Sequence, residues 1–445
     1  MNDTPKKRTR PKLVTALMET FGFSPAVAFI VAGAIMFFGV LALIWVFESA
    51  PPRTITVTSG PAGSTFQRYA ERYQKALAEH GVTLKIVPSL GSQENLERLQ
   101  SGAPGIDIGF VQGGVAGGTD TSHLVSLGSI AFQPLLLFYR APERIRLLSE
   151  LAGKRVAIGA IGSGTRALAL ALLEANEIKP GGSTTLLDLD AAAAANALVD
   201  GKVDAVFLMG DSAPLATLRS LFRTPGIQLY DVIQADAYTR RFPYLNRLNL
   251  PEGSIDFGKN LPARDIALVA PTVELVARKS LHPALTDLLL EVAQELHGNP
   301  GIFQKRGQFP APLGYDFKIS DEAHTFYKSG KGYLYSKIGS FWLASVLTRI
   351  LVVFVPFALV LIPALRFLPS AYRFTIMLRI YRCYRPLLRL ERDLIEAPTP
   401  ERRHEMRRRL DEIEEAVNRV KVPASFADQF YELRTHIAFV RSRLV

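Results

Sequence analysis

The stretch "GAIGSGTRALALALLEA", Gly159–Ala175, sets Gly159, Gly162 and Gly164 and the hydroxyls of Ser163 and Thr165 between an apolar strand, Arg155–Ile158, and a helix beginning at Ser163. Glycine lets backbone approach a ligand closely, serine caps a helix, and the free N–H groups of a helix start favour an anion. The same build occurs twice more, in "SGPAGSTF" (Ser59–Phe66) and "SLGSQENL" (Ser89–Leu96). A nucleotide phosphate is a poor fit. A Walker loop needs Gly-Lys-Ser/Thr, whereas Gly164 is followed by Thr165 and Arg166, and the Gly-x-Gly-x-x-Gly spacing is missing here as well. Taken singly, Ser64, Ser92 and Ser163 are explained by ordinary N-capping. Three such loops spread over both halves of one region point instead to a shared small organic anion gripped in a cleft. Ligands of open α/β sheets lie at the carboxyl ends of the strands, where these loops sit.

Other chemistry finds little support. His282 and His297 have no metal-ligand spacing to a second His or Cys, and "HEMRR" (His404–Arg408) has Arg408 where a zinc motif needs histidine. No Gly-x-Ser-x-Gly elbow occurs, and the sole cysteine, Cys383, lies far from the three loops. The expectation is therefore a protein that is not an enzyme, with no catalytic residue, no metal and no cofactor. The basic tail lacks any zinc-finger pattern and follows an apolar segment, so no nucleic-acid partner is expected.

The elements that must position the loops alternate. Thr54–Gly60 reads as a strand, Ser64–His80 as a helix, Thr83–Leu90 as a strand, Ser92–Gly102 as a helix and Ile106–Gln112 as a strand. A long apolar run follows, and the alternation restarts at "KRVAIGAIGSG", continuing through "TTLLDLD", "AAAAANALVDG" and "VDAVFLMGD". Such alternation predicts parallel sheets covered by helices, here as two α/β lobes with a crossover between them. The expected binding domain is residues 53–335, with its second lobe at about 140–232.

Two segments flank it. Val27–Phe47 is an uncharged run of 21 residues, long enough to span a bilayer, and its flank "ESAPP" is a poor signal cleavage site. Phe341–Leu365, within an expected span of 338–365, is apolar apart from Arg349 and contains prolines that predict a kink. Arg349 is open to two readings, a functional intramembrane charge and a side chain reaching the interface marked by Trp342. The first twelve residues hold five Lys/Arg against one acid, and residues 366–445 hold seventeen against eleven, which together make ten of the chain's +11. The positive-inside rule then puts both termini, a basic segment 1–26 and a basic helical tail 366–445, in the cytoplasm. In the tail, Arg379, Arg382, Arg385, Arg389 and Arg392 share one helical face, suited to the anionic inner leaflet or to plain solvation. Met406, Leu410, Ile413, Val417 and Val420, then Phe426, Phe430, Leu433, Ile437, Val440 and Leu444, keep heptad spacing. They predict a helical pair, closing on itself or docking a partner.

The order of "GPAGSTFQRYAERYQKAL", "GSQENLERLQSG", "IDIGFVQGG", "LAGKRVAIGAIGSGT" and "LVDGKVDAVFLMGDS" resembles that of TAXI proteins, the solute receptors of tripartite ATP-independent periplasmic (TRAP) transporters. The resemblance runs from Arg53 to Ser320. It implies a two-lobed type II periplasmic-binding fold, here flanked by two transmembrane helices and a C-terminal helical cytoplasmic segment. It also implies a small carboxylate ligand, glutamate-like or dicarboxylic, and a TRAP permease partner. Carried over residue by residue, it offers Gly63, Ser64 and Thr65, then Ser92 and Gln93, Gln112, and finally Ser163, Gly164 and Thr165 as ligand contacts. Asp211 is a candidate for a ligand amine or the cleft rim, with structural capping as the alternative. Phe66 stands where many such proteins have tyrosine, which removes a hydroxyl and a mark of amino-acid selectivity. The implied location is the bacterial inner membrane, with the binding domain in the periplasm. A receptor tethered this way sits beside a permease or acts as a sensor through a cytoplasmic regulator.

Overall fold

The computed structural model describes residues 11–21, 25–48, 50–103, 105–330, 341–395, 400–419 and 427–444. The chain divides into two units, Pro51–Ser345 and the joined ends Met1–Ala50 with Val346–Val445. The ends begin with α1 (Lys12–Phe21) and α2 (Pro25–Glu48), the latter opened by a first-turn proline that the missing N–H of that position tolerates. Val14 and Leu17 of α1 pack on Ala28 and Ala32 of α2. Sequence reading took residues 1–26 only as a basic segment and missed α1.

The Pro51–Ser345 unit starts with β1 (Thr54–Thr58), α3 (Thr65–Glu79), β2 (Thr83–Val87), α4 (Ser92–Gln100) and β3 (Ile108–Gln112). Then come β4 (Leu124–Phe132), β5 (Leu136–Tyr139), β6 (Arg155–Ala157), α5 (Gly164–Ala175), β7 (Thr185–Leu187), α6 (Ala191–Val199) and β8 (Ala205–Leu208). The remainder is α7 (Leu215–Arg223), β9 (Gln228–Leu229), α8 (Ala235–Arg241), β10 (Leu245–Leu250), β11 (Ile266–Arg278), α9 (Pro283–His297) and α10 (Asp321–Ser329). They form two sheets, one ordered β10-β11-β3-β1-β2 with β4 beside β11, the other ordered β7-β6-β8-β5-β9. These are the two α/β lobes.

Each sheet is parallel where the strand–helix alternation is clean, β1 with β2 and β3, and β6 with β7 and β8. Each is antiparallel elsewhere, at β4, β5, β9, β10 and β11. The expectation of parallel sheets thus holds for three strands of each. The difference lies in the connections: β4 and β5 are separated by three residues and no helix, so neither can be reached by a right-handed βαβ crossover.

Burial follows the strand period. In β5 and β8, Leu137, Tyr139 and Phe207 enter one core cluster of lobe 2, while Leu136, Phe138, Val206 and Leu208 enter the other. Alternate side chains cover opposite faces, as a sheet covered on both sides requires. Lobe 1 has its own core, where Phe66 packs on Phe110 at a ring separation of 5.6 Å beside Tyr73 and Leu77. Strand β11 belongs to both lobes. Leu268, Val269 and Ala270 join the lobe 2 clusters, while Val273, Leu275 and Ala277 join that of lobe 1. The β4–β5 junction crosses beside it, with Gln133 N–H donating to the Pro271 carbonyl at 2.9 Å and Leu135 N–H to that of Val269 at 3.0 Å.

The domain closes on the start of a 55-residue helix, α11 (Phe341–Ile395). Phe341 and Trp342 pack on the lobe 1 core, and Trp342 Nε1 donates to the His80 carbonyl at 3.0 Å. Arg53, just before β1, sets its guanidinium 5.3 Å from the Trp342 ring. Lobe 1 therefore carries both chain connections of the domain.

Among the described residues one stretch, Phe341–Pro363, is long and apolar enough to cross a bilayer by length and composition. The apolar Pro25–Leu41 stretch of α2 is shorter. The side chain of Arg349 lies outside the described residues. Helix α11 does not stop at residue 365 but continues through Pro356, Pro363, Pro369 and Pro386 into the tail. There Ile380, Leu387 and Leu390 join α12 (Pro400–Arg419) and α13 (Ala427–Arg443), through Met406, Leu410, Ile413, Val417, Leu433, Ile437 and Val440, in one core. The expected pair is a three-helix bundle, and Val420 and Phe426 lie outside the described residues. The arginine-bearing helix was expected, but not its place in the bundle, because its apolar stripe shares a segment with the five arginines, all exposed.

Candidate functional site

Ser64 is the N-cap of α3, its hydroxyl accepting from Gln67 N–H at 3.2 Å, and Ser163 is the N-cap of α5, accepting from Arg166 N–H at 3.2 Å. Ser92 is not a cap. Gly91 takes that position with φ 136, outside the range comfortable for side chains, and Ser92 becomes the first helical residue of α4. Its hydroxyl instead accepts from Gln112 N–H at 3.2 Å, tying α4 to the end of β3.

The three helix starts meet where the lobes meet. Thr65 N–H donates to the Gly210 carbonyl at 2.8 Å and Glu94 N–H to the Gly162 carbonyl at 3.0 Å. Gln112 Nε2 donates to the Gly164 carbonyl at 2.8 Å. In each case a lobe 1 donor reaches a lobe 2 acceptor. Close approach needs Gly210, where a Cβ would fall 2.6 Å from Thr65 Oγ1.

Asp211 is at the centre of this seam. One carboxylate oxygen, Oδ2, accepts from Gly164 N–H of α5 at 2.7 Å and from Ser92 N–H of α4 at 3.4 Å. The other, Oδ1, accepts from the hydroxyls of Thr165 and Ser212, each at 2.9 Å. The side chain is fully buried, and burial raises its pKa against the lowering effect of the four donors, the Thr165 hydroxyl first among them. Helix dipoles and backbone N–H groups thus stabilise a carboxylate where the sequence placed an anion, but this carboxylate is the chain's own. These contacts are those of a structural cap at the starts of α4 and α5.

Seven further predicted residues join Asp211: Ser64, Thr65, Ser92, Gln112, Ser163, Gly164 and Thr165. All but Thr65 are buried. Gly63 is exposed at the rim, with Pro214 of lobe 2 opposite it. Gln93 is not part of the group; its amide donates to Glu97 Oε1 at 3.2 Å on the outer side of α4. Phe66 points into the lobe 1 core and is wholly buried there, so the hydroxyl it lacks would not reach the seam. The sequence singles out Gly162 without making it a contact, and gives no role to Gly91, Gly210 or Ser212. The last two flank Asp211 in "MGDS", and the small residues beside a candidate aspartate were the available signal.

Beside the seam a cavity of about 200 Å³ is lined by Pro61 and Leu90 of lobe 1 and by Ala160, Thr165, Phe207 and Ser212 of lobe 2, among others. It is mostly apolar, and the two residues whose hydroxyls bind Asp211 help line it. Among the described residues no group of three or more His, Cys, Asp or Glu could hold a metal ion.

The sequence profile of the NMT1-like family matches residues 57–297, more than half of the chain. Among solved structures, an ancestral arginine-binding protein bound to arginine aligns at 15% identity over 56% of this chain and 94% of its own, with a TM-score of 0.37. The periplasmic aliphatic sulphonate binding protein SsuA from Escherichia coli aligns at 15% identity over 67% and 84%, with a TM-score of 0.33. The effector binding domain of QuiR in complex with shikimate aligns at 12% identity over 55% and 96%, with a TM-score of 0.35.

Proposed function

The chain belongs to the NMT1-like family, and from that premise we propose that it is a membrane-tethered receptor for a small organic anion, not an enzyme. The observation that carries the reading is the carboxylate of Asp211 between α4 of lobe 1 and α5 of lobe 2. A locus that stabilises one buried carboxylate with two helix N–H groups and two hydroxyls has the chemistry to stabilise another. The ligand's anionic head, a carboxylate by preference, would take these donors, and its short body would occupy the adjacent cavity of about 200 Å³. Lobe closure over it would be the event a partner reads.

The tethers in this reading are α2 and the Phe341–Pro363 stretch of α11, with the domain on the periplasmic face of a bacterial inner membrane and both termini in the cytoplasm. The five exposed arginines of α11 would then meet anionic lipid. The partner we favour is a TRAP-type permease, because lobe 2 joins the flanking helices through lobe 1 and so can present closure sideways. A sensor is the second reading. It is favoured by one observation, that α11 runs unbroken from Trp342 on lobe 1 to Leu390 in the bundle core.

The test is thermal unfolding of the full chain in detergent against amino acids, dicarboxylates, keto acids and sulfonates. One compound at a hundred times its Kd adds about 2.7 kcal/mol and raises the midpoint by several degrees. The shift should vanish with Thr165→Val, which removes a hydroxyl of the locus. If no compound shifts the midpoint of either the wild type or Asp211→Ala, the receptor reading is wrong. Co-purification of a multi-span permease supports uptake, and that of a kinase or cyclase supports sensing.

A further inference from the structure

The groups that an exogenous oxyanion would use are already committed. Ser92 N–H, Gly164 N–H and the hydroxyls of Thr165 and Ser212 all donate to Asp211, and none of the four carries a charge. The carboxylate is wholly buried, and among the described residues no lysine or arginine is hydrogen-bonded to it. It is therefore held by neutral dipoles alone, Ser92 N–H from lobe 1 and the other three donors from lobe 2. The surrounding backbone is fitted to it. Gly91 has φ 136 at the start of α4, and a Cβ there would lie 2.5 Å from Asp211 Oδ2 and 3.1 Å from Ser163 Cα. Gly210 delivers the aspartate from the end of β8, and its carbonyl is pinned to lobe 1 by Thr65 N–H at 2.8 Å.

We propose that Asp211 is a built-in occupant of the cleft, a tethered carboxylate that, together with the three hydrogen bonds crossing the seam, holds the two lobes closed without a solute and must be displaced before a solute's oxyanion can bind. The proposal rests on reading the seam as the ligand site and adds how that site is regulated. A residue on a short loop competes with a free solute at an effective concentration in the millimolar range. The apparent affinity falls by the fraction of molecules in which the latch is open, so a latch closed in about 99 of 100 molecules weakens binding about 100-fold. Such a receptor responds only to abundant solute. Gln112 is consistent with this device: its Nε2 crosses the seam to Gly164, while its buried Oε1 has no hydrogen-bond partner and is available to a donor on an incoming ligand.

The experiment is a pair of spin labels at Glu97→Cys in lobe 1 and Lys179→Cys in lobe 2, both exposed, on the full chain in nanodiscs with Cys383→Ser. The inter-lobe distance is measured by pulsed electron resonance with no anion added and then with excess sodium formate. The wild type should give one short distance, unchanged by formate. Asp211→Ala should add a longer population, and formate, which fits the vacated carboxylate position, should return it to the short one. Asp211→Asn keeps the side-chain volume and serves if the alanine variant does not fold; it should show the longer population with or without formate. A wild type as open as the variants overturns the proposal, as do variants that stay closed. These outcomes are separable from failure of the receptor reading, in which formate closes Asp211→Ala but no larger solute binds either protein.

Discussion

Glu274 is buried in β11, which lies between β3 and β4, at an irregularity of the β11–β4 ladder, opposite Val111 on one side and Ser129 on the other. Tyr315 N–H donates to its Oε1 at 3.2 Å, while Oε2 has no hydrogen-bond partner. Burial, the largest influence, outweighs the lowering effect of the Ser126 hydroxyl and the Tyr315 N–H and pushes its pKa from 4.5 up to about 7, with the nearby Asp316 charge adding to the rise. The folded pKa thus lies above the unfolded one, so the folded state holds the proton more tightly between the two values. The stabilisation is complete below about pH 4.5 and is lost as pH rises through 7. At 1.36 kcal/mol per pH unit, that window corresponds to roughly 3 kcal/mol. Glu274→Gln keeps the shape and removes the titration. The assay is denaturant unfolding from pH 5 to 8, followed by the emission of Trp342, which packs on the lobe 1 core, in a Trp45→Phe background. The difference in stability between wild type and Glu274→Gln should change by roughly 2–3 kcal/mol across that range, in favour of the variant at high pH. A difference constant with pH would show that Glu274 is charged in the fold, and the argument from its burial would fail.

His297 runs the opposite way. Burial chiefly, aided by the Arg72 charge, lowers its pKa from 6.5 to about 3, so its stabilisation is present above 6.5 and lost as pH falls toward 3, a slope that His297→Phe should remove in acid denaturation. Ser163→Ala removes the cap of α5 and should cost about 1 kcal/mol by thermal unfolding, whereas Gln93→Ala, on the outer face of α4, should stay within about 0.5 kcal/mol of wild type. Gly91→Ala forces a Cβ onto Asp211 at a backbone angle alanine resists; a loss of roughly 2–4 kcal/mol is expected, and a neutral result would contradict the packing of the seam.

The elements legible in the sequence were those whose signal is local. The Gly-Ser turns between strand and helix placed the starts of α3, α4 and α5 correctly, because capping and glycine geometry act within four residues. Periodicity gave the heptad stripes of α12 and α13. What escaped was decided by distant contacts. Whether Ser92 caps α4 or turns toward Gln112 depends on where β3 ends, 20 residues away. The antiparallel strands β4 and β5 read as one apolar run, since a strand buried on both faces has no alternation to show. Asp211 was singled out, yet its role required knowing that two helix starts from separate lobes converge on it. The residues that make that convergence possible, Gly91 and Gly210, matter for the side chain they lack.

The central claim is that the seam between the lobes is an oxyanion site for a small solute. Calorimetric titration of the full chain tests it most directly, with each candidate compound added to the wild type and to Asp211→Ala. Saturable one-to-one binding of an oxyanion-bearing compound is expected, tighter in Asp211→Ala by tenfold or more, and abolished when Thr165→Val is combined with it. Absence of saturable binding to both proteins, or binding of equal strength that Thr165→Val leaves untouched, would contradict it.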